Sequence, residues 1–243
     1  TRPDRGAVPP AVFVPVAERS GLVVELDLWV LEAALAQLRA WADVPVVRDL
    51  GVAVNVSGRS LVEPTFVDHC RDLLDAAGVP AGMLTVEVTE TAIVTDLELA
   101  AAQLSQLRSM GVRVAIDDFG TGYTSVAHLR ALPVDEIKID SSFIQGLPDR
   151  ESRVLVQMIN ELAHRLDVPT VAEGVETDLQ VDVVREIGCD ALQGYLFAHP
   201  MAADELPSWV AARTRARSVG TTETRSDEPG HSSVGTAVET PHR

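Results

Sequence analysis

Short β-branched runs alternate with longer amphipathic stretches from about residue 50 onward. Apolar and polar positions alternate with a period of two within each run, and a polar residue stands near its end, which is typical of strands. Six strands are predicted, at residues 52–57, 84–89, 112–117, 136–140, 170–173 and 192–197. The chain between them is long enough for a helical crossover, so we expect parallel βαβ units.

The stretches between the strands repeat apolar residues at spacings of three and four, which predicts helices. Predicted helices span 66–77, 96–110, 151–166 and 178–187, and another spans roughly 26–42. Gly78, Gly111 and Gly188 follow three of them, at the position where a left-handed residue commonly ends a helix. An eight-stranded (β/α) barrel and an open doubly wound sheet both accommodate this α/β pattern.

Composition indicates one folded body followed by a polar tail. Hydrophobic residues make up 46% of the 243-residue chain, which is enough for a substantial core. Large apolar residues almost disappear after residue 212, so we predict a folded domain at 1–212 and a disordered tail at 213–243. Acidic residues outnumber basic ones by 36 to 20. Binding to a nucleic-acid polymer is not expected, because it depends on Lys and Arg.

Cysteine usage and hydropathy favour a cytoplasmic domain. Cys70 and Cys189 are too few for a disulfide framework, and we interpret both as buried free thiols. No apolar run approaches the about 18 residues of a membrane span, and no signal-peptide pattern is visible. Regions outside this chain could still tether the parent protein to a membrane.

Polar side chains recur near the carboxyl end of each predicted strand, where a barrel builds its active site. Period-two geometry turns one set to the inner face, opposite the valines and isoleucines that face the helices. This inward set is Asn55, Glu87, Asp117, Lys138 and Asp140, with Asp118, Glu173, Glu176 and Gln193 at the loop junctions. A single strand-end acid is usually a helix cap or a surface ion pair, but that explanation fits poorly for so many on one face.

The converging carboxylates predict a metal-assisted active site. Buried carboxylates are costly unless they are paired or bind metal, and Lys138 is the only lysine nearby. Oxygen ligands suit Mg²⁺ or Mn²⁺ better than zinc, and we interpret His128 and His164 as helix-surface residues. Hydrolysis of a phosphate ester is the expected reaction, because two divalent ions can generate hydroxide and stabilise the attacking and leaving oxygens.

Six motifs occur in order along the chain and carry a family resemblance. They are Asn55-Val56-Ser57, Glu87-Val88-Thr89-Glu90, the 117–123 segment that begins Asp117-Asp118-Phe119, Lys138-Ile139-Asp140, Glu173-Gly174-Val175-Glu176 and Gln193-Gly194-Tyr195. In this order they resemble the EAL domain family, phosphodiesterases that hydrolyse cyclic di-GMP to linear pGpG. The resemblance covers about residues 1–210 and implies a TIM-like (β/α)8 barrel.

The resemblance implies two divalent cations, Mg²⁺ or Mn²⁺. Asn55, Glu87 and Asp117 would bind the first, while Asp117, Asp118 and Glu173 would bind the second. It also implies roles for the remaining residues. Lys138, Glu173 and Glu176 are the expected catalytic residues, Gln193 and Asp140 are expected to bind the substrate, and Glu90 is expected to anchor the loop at residues 119–125.

The motif that names the family, Glu-Ala-Leu, does not occur in this chain. In the family it ends the second strand, just upstream of the segment that matches Thr1–Gly6, and its glutamate would be a metal ligand. The Leu31–Leu35 stretch does not replace it, because that stretch lies inside a helical stripe. We therefore expect an N-terminally truncated barrel whose first two strands are missing.

Two functions are open on the sequence alone. The first is a cyclic-guanylate-specific phosphodiesterase in bacterial second-messenger signalling, active in the intact parent protein. The alternative is a catalytically inactive cyclic di-GMP receptor or a protein-interaction scaffold, which the absent glutamate suggests. A different phosphate-handling barrel fits poorly, because Asp117 and Asp118 would repel an anion without a metal. A homodimer and an upstream sensor or cyclase-like domain are further expectations from the resemblance.

Overall fold

The structure, a computed structural model, describes residues 8–94, 96–122 and 126–223. Its strands are β1 (Val52–Asn55), β2 (Leu84–Thr89), β3 (Arg113–Phe119), β4 (Glu136–Ile139), β5 (Thr170–Ala172) and β6 (Ala191–Leu192). Its helices are α1 (Pro10–Ser20), α2 (Val23–Trp41), α3 (Gly58–Leu61), α4 (Phe66–Ala77), α5 (Glu90–Val94), α6 (Leu97–Ser109), α7 (Val126–Ala131), α8 (Ser141–Gln145), α9 (Arg150–His164), α10 (Asp178–Ile187) and α11 (Leu206–Glu223). The segment 1–6 that contributes to the family resemblance lies outside the described residues.

All six strands form one parallel sheet in the order β1-β2-β3-β4-β5-β6. Each crossover therefore advances to the next strand in the same direction, and right-handed crossovers then place the helices on one face. A doubly wound sheet would reverse its strand order at a switch point. The structure thus selects between the two architectures that the sequence leaves open. It shows six strands of a TIM-like barrel, curled around an inner face.

The main hydrophobic core lies between the outer face of this sheet and the helices. Val54, Val86, Val114 and Ile116 are all buried and belong to one cluster, which α2, α4 and α6 complete. Asn55 is exposed although Val54 before it is buried, as the period-two pattern predicts. The alternation therefore separates an apolar outer face from a polar inner face.

Helix ends agree best with prediction where a glycine or a cap marks them. Helices α4 and α10 have the predicted bounds, and Gly78 and Gly188 follow them with φ values of 65° and 89°. Thr177 and Gln180 form a reciprocal capping box at the start of α10. Among the described residues, no helix combines the length and hydropathy that crossing a bilayer requires.

Two predicted segments differ from the structure. The last predicted strand, at 192–197, is reduced to Ala191–Leu192, because the chain then turns against the loop after β5. There the Val175 N–H donates to the Gln193 carbonyl at 3.0 Å, and the Leu196 N–H donates to the Val175 carbonyl at 3.1 Å. Helix α11 continues to Glu223, past the residue 213 at which we begin the tail. Residues 224–243 of that tail lie outside the described residues.

Gly194 allows the loops after β5 and β6 to approach each other closely. A β-carbon at this position would overlap the carbonyl oxygen and nitrogen of Val175 and lie 2.7 Å from its carbonyl carbon. We expect Gly194→Ala to lower the free energy of unfolding by about 2 kcal/mol, because neither backbone can move without losing hydrogen bonds. Urea denaturation measures this loss. Gly82→Ala is the control, since a β-carbon there would meet only the Gly111 carbonyl oxygen, at 3.6 Å. Equal losses in both variants would contradict the explanation.

Candidate active site

Lys138 lies at the centre of three carboxylates on the inner face of the sheet. Its Nζ is 2.9 Å from Glu87 Oε1, 3.0 Å from Asp117 Oδ1 and 2.7 Å from Glu173 Oε1. The Lys138 side chain and the three carboxylates that surround it are all well shielded from solvent, and Lys138 is only 4% exposed. The four side chains come from β2, β3, β4 and the residue after β5, so neighbouring strand ends bring them together.

Strand β3 brings two consecutive carboxylates to this site through a local irregularity. Successive strand side chains normally point to opposite faces. Here the register with β4 shifts between Ile116 and Phe119, and Asp118 adopts a φ of 53°, a conformation that Asp tolerates better than most residues. Oxygen atoms of Asp117, Asp118 and Glu173 lie within 4.8 Å of one another, in a group that could hold a metal ion.

Burial opposes the charged form of these carboxylates. It is the main cause that raises the pKa of Glu87 and Asp118, and it raises the pKa of Glu173 to about 7. The nearby charge of Asp117 raises all three further, while Lys138 acts in the opposite direction. Burial also lowers the pKa of Lys138, but hydrogen bonds to Glu173 and Glu87 outweigh that effect and keep its pKa well above the usual range. One lysine leaves excess negative charge in the cluster, which fits added cations.

Asn55 occupies the rung next to Glu87 on the inner face. The two residues are Cα partners in the parallel pairing of β1 with β2. Glu87 is buried, whereas Asn55 is exposed at the end of its strand. The structure therefore places both proposed first-cation ligands from these strands side by side.

A cleft of about 280 Å³ opens beside Glu173. Its lining residues are Ser141, Gln145, Glu173, Gly174, Glu176, Gln193, Gly194 and Tyr195. Glu176 and Gln193 are both exposed, so their polar groups are available to a ligand. Ligand pockets are mostly concave sites of this order of size with a few convergent polar groups. The cleft continues from the carboxylate cluster along the loops after β5 and β6.

Asp140 follows β4 and immediately precedes Ser141, which lines this cleft. Its Oδ1 accepts hydrogen bonds from the Ser142 N–H at 3.0 Å and from the Ser142 hydroxyl. Asp140 thereby caps the start of α8. Its charge and a hydrogen bond also contribute to the raised pKa of Asp118, after burial and the charge of Asp117. Asp140 is therefore joined to the site through Asp118.

Glu90 holds the backbone that follows the β3 carboxylates. Its Oε2 accepts hydrogen bonds from the Gly120 N–H at 3.0 Å and from the Gly122 N–H at 3.1 Å. A β-carbon on Gly122 would lie 2.7 Å from the Glu90 carboxyl carbon, so glycine allows this close approach. Residues 123–125 of the predicted loop lie outside the described residues.

We expect Glu90→Gln to reduce turnover about tenfold with little change in melting temperature. The amide keeps the shape of the carboxylate, but a neutral acceptor binds the two N–H groups less strongly. Amide hydrogen exchange at Gly120 and Gly122 should become faster. Glu161→Gln is the control, because Glu161 is an exposed side chain bonded to Gln157. Unchanged exchange at both glycines would contradict this role of Glu90.

Sequence reasoning missed one buried acid, Asp27 of α2. It is 7% exposed and lies four residues before Leu31 in the buried stripe of that helix. Its Oδ2 accepts hydrogen bonds from the Ser57 N–H at 2.8 Å and from the Ser60 hydroxyl at 2.7 Å. A charged residue at a stripe position was the available signal, since such a residue requires a buried partner.

The cysteines and histidines lie outside the carboxylate cluster. Cys70 is a buried free thiol, and burial raises its pKa to about 12. Cys189 is also free, but it is only partly buried. The prediction of a buried thiol is therefore wrong for Cys189. His128 is exposed on α7, and His164 forms a half-exposed pair with Asp190 at 2.8 Å. Both histidines are surface residues, as predicted.

Comparisons with known proteins agree with this geometry. The profile of the EAL domain matches residues 1–200. MucR of Pseudomonas aeruginosa, a bifunctional diguanylate cyclase/cyclic di-GMP phosphodiesterase, is 40% identical over 210 residues, which are 86% of this chain and 30% of that protein. The cyclic di-GMP phosphodiesterase NbdA of the same organism is 40% identical over 211 residues, 86% of this chain and 27% of that protein.

Solved structures give the same result. The PaMucR phosphodiesterase in its c-di-GMP complex superposes with a TM-score of 0.80 at 39% identity, covering 84% of this chain and 83% of that one. This chain spans about 30% of the length of the curated relatives it matches.

Proposed function

This chain belongs to the EAL domain family, and we propose that it is the catalytic domain of a metal-dependent phosphodiesterase that hydrolyses cyclic di-GMP to linear pGpG. The observation that carries the proposal is the group of inward carboxylates around Lys138, which opens into a cleft beside Glu173. Relatives at 40% identity named as cyclic di-GMP phosphodiesterases support the choice of substrate.

Two divalent cations, Mg²⁺ or Mn²⁺, fit the donor set of this site. Asn55, Glu87 and Asp117 would hold the first, and Asp117 with Asp118 and Glu173 would hold the second. For the second cation, the fit rests on oxygens of Asp117, Asp118 and Glu173 that lie within 4.8 Å of one another. The excess negative charge that burial penalises supports bound cations at the site as a whole. When bound, the cations supply an activated water and neutralise the phosphate oxygens.

The residues of the chain would bind, orient and move protons around that centre. Lys138 supplies a fixed positive charge toward the phosphate or the attacking water, because its three acceptors hold its ammonium in one place. Glu173 is the candidate to accept a proton from the water, because its carboxylate lies both in the cleft and 2.7 Å from the Lys138 ammonium. Glu176 would assist it at the mouth of the cleft.

The substrate would lie along the cleft. The exposed amide of Gln193 can donate to and accept from a guanine base or donate to a phosphate, and Asp140, which contacts Asp118, would also bind the nucleotide. The loop that Glu90 holds would keep Asp117 and Asp118 in position.

We also propose that the protein forms a homodimer through α9. Val154, Leu155 and Met158 expose 47%, 38% and 61% of their surfaces on this helix. Ile159 of the same helix lies against the loop after Asp118, since a β-carbon on Gly120 would be 3.0 Å from its Cδ1. A second copy that covers α9 would therefore act on the loop next to the carboxylates. Sedimentation analysis tests the dimer.

The decisive assay incubates the full-length gene product with cyclic di-GMP and Mg²⁺ and measures pGpG by chromatography. We expect turnover that stops when a chelator removes the cation and returns when Mg²⁺ is added in excess. Calorimetric binding of cyclic di-GMP without any pGpG would instead favour the inactive receptor. The absence of both turnover and binding would overturn the proposed substrate.

A further inference from the structure

We propose that Asp27 is a positioning residue for the first cation site, acting on Asn55 through the turn that follows β1. Asp27 belongs to α2, one of the helices outside the sheet, whereas Asn55 is the last residue of β1. The inference rests on the proposed function, because it takes Asn55 as a cation ligand. It assigns to this buried acid a role that reaches the inner face of the sheet.

The carboxylate of Asp27 fixes the backbone two residues after Asn55. Its Oδ2 accepts the Ser57 N–H at 2.8 Å and the Ser60 hydroxyl at 2.7 Å. The Ser57 hydroxyl in turn accepts the Ser60 N–H at 3.2 Å and caps α3. One buried oxygen thus holds both the turn after β1 and the first residues of the next helix.

The same turn is fixed from its other sides. The Val56 N–H donates to the Glu87 carbonyl at 2.8 Å, which continues the pairing with β2. Gly58 packs against α5, where a β-carbon would lie 2.9 Å from both the Cβ and the carbonyl oxygen of Ala92. The chain after Asn55 therefore lies between the sheet, α2 and α5.

Asn55 depends on this arrangement more than the other proposed ligands do. Within the part of the chain that the structure describes, β1 pairs only with β2, and Asn55 is an exposed residue at its end. Ligand positions need to be held within about 0.5 Å for a working site. The hydrogen bond from Ser57 to Asp27 joins this strand end to α2, in addition to its contacts with β2 and α5.

A charged residue at position 27 is unfavourable for packing alone. The stripe of α2 is otherwise apolar at Val23, Leu31, Leu35 and Leu38, and an apolar residue would extend it without the penalty of burying a carboxylate. Charge-assisted hydrogen bonds are shorter and stronger than neutral ones, which suits an acceptor that must hold a backbone N–H firmly. An aspartate at position 27 is therefore better explained by the need to hold the Ser57 N–H in place than by packing in the core.

The test measures Mn²⁺ affinity by calorimetry in the wild-type protein and in two variants. Asp27→Ala removes the acceptor and is expected to weaken Mn²⁺ binding about tenfold, the lower end of the effect of supporting residues at metal sites. Asp27→Asn keeps an oxygen but loses the charge, and we expect about a threefold loss. If the alanine variant does not fold, the asparagine variant carries the test.

Asp190→Ala provides a matched control. Asp190 also accepts a backbone N–H and a hydroxyl, both from Thr170, at 2.8 and 3.3 Å. Thr170 begins β5, so this contact lies at the opposite end of the strands from the carboxylates. The control should lower the melting temperature and leave Mn²⁺ affinity unchanged.

A double-mutant cycle with Asn55→Ala separates positioning from stability. If Asp27 acts through Asn55, the double variant with Asp27→Ala binds Mn²⁺ no more weakly than Asn55→Ala alone. Additive losses, or a lower melting temperature with wild-type affinity in both Asp27 variants, would overturn the inference and leave the proposed function standing. Absence of Mn²⁺ binding in the wild-type protein would overturn the proposed cation site and the inference with it.

Discussion

Lys138→Met is expected to abolish turnover and to lower the free energy of unfolding of the cation-free protein by about 3 kcal/mol. The substitution removes the positive charge that lies within 3.0 Å of Glu87, Asp117 and Glu173. Removing one partner of a buried ion pair is strongly destabilising because it leaves uncompensated charge. The loss of turnover follows because, among the described residues, Lys138 is the only cationic side chain paired with these carboxylates.

The loss of stability should depend on pH and on cations. Burial already raises the pKa values of Glu87 and Glu173, so the folded variant takes up protons more readily than the unfolded chain. Its deficit should therefore be largest above about pH 7 and shrink as the pH falls, because protonation removes the repulsion. Added Mn²⁺ should restore part of the stability if it binds only the folded state.

Urea denaturation at pH 5 and pH 8, with and without Mn²⁺, measures these effects. Arg153→Met is the control, since the Arg153 pair with Glu186 at 2.9 Å lies on the surface. An exposed pair contributes at most about 1 kcal/mol. A Lys138→Met variant as stable as this control at pH 8 would contradict the charge balance described for the site.

The inner face of the sheet was predictable because it depends on local periodicity. Asn55, Glu87 and Lys138 each alternate with β-branched residues, and parallel strands align their carboxyl ends, so these side chains had to converge. The barrel order of the strands was not predictable in the same way. Hydrophobic runs specify which face of each strand is buried, but not which strand lies beside which.

Features that depend on tertiary contacts could not be predicted from the sequence. The left-handed backbone at Asp118 follows from the register shift with β4, which a period-two pattern cannot anticipate. Strand β6 ends early because the Gln193 carbonyl accepts the Val175 N–H of the loop after β5, while the Gln193 N–H still donates to Ala172. Asp27 looked like an ordinary helix residue because its partners, Ser57 and Ser60, lie some thirty positions away. In each case a distant segment determines the local geometry.

Asp117→Asn is expected to lower kcat/KM at least about 100-fold and Mn²⁺ affinity by a similar factor. Even the mutation of residues that only support metal ligands lowers metal affinity or activity about 10- to 100-fold. Asp117 is the proposed ligand shared by both cations. Its Oδ1 contacts Lys138 at 3.0 Å and accepts the Asp118 N–H at 3.1 Å. Asparagine has nearly the same shape, but one oxygen becomes an amide nitrogen that donates hydrogen bonds and does not bind a hard cation.

The fold should tolerate Asp117→Asn. A loss of turnover in this variant can therefore be distinguished from a general loss of structure. Asp117 raises the pKa values of Glu173 and Asp118, so removing its charge relieves repulsion in the cation-free protein. We therefore expect a melting temperature at or above the wild-type value without cations, and a smaller rise when Mn²⁺ is added.

Asp135→Asn is the matched control for Asp117→Asn. Asp135 also accepts a backbone N–H, from Val114 at 2.9 Å, and pairs with Arg108 at 2.6 Å, but it lies at the start of the strands. The control should lose some stability and keep full turnover, because its contacts secure only the amino end of the sheet. Turnover by Asp117→Asn within tenfold of the wild-type value would contradict a shared ligand, since two cations cannot then depend on this one carboxylate.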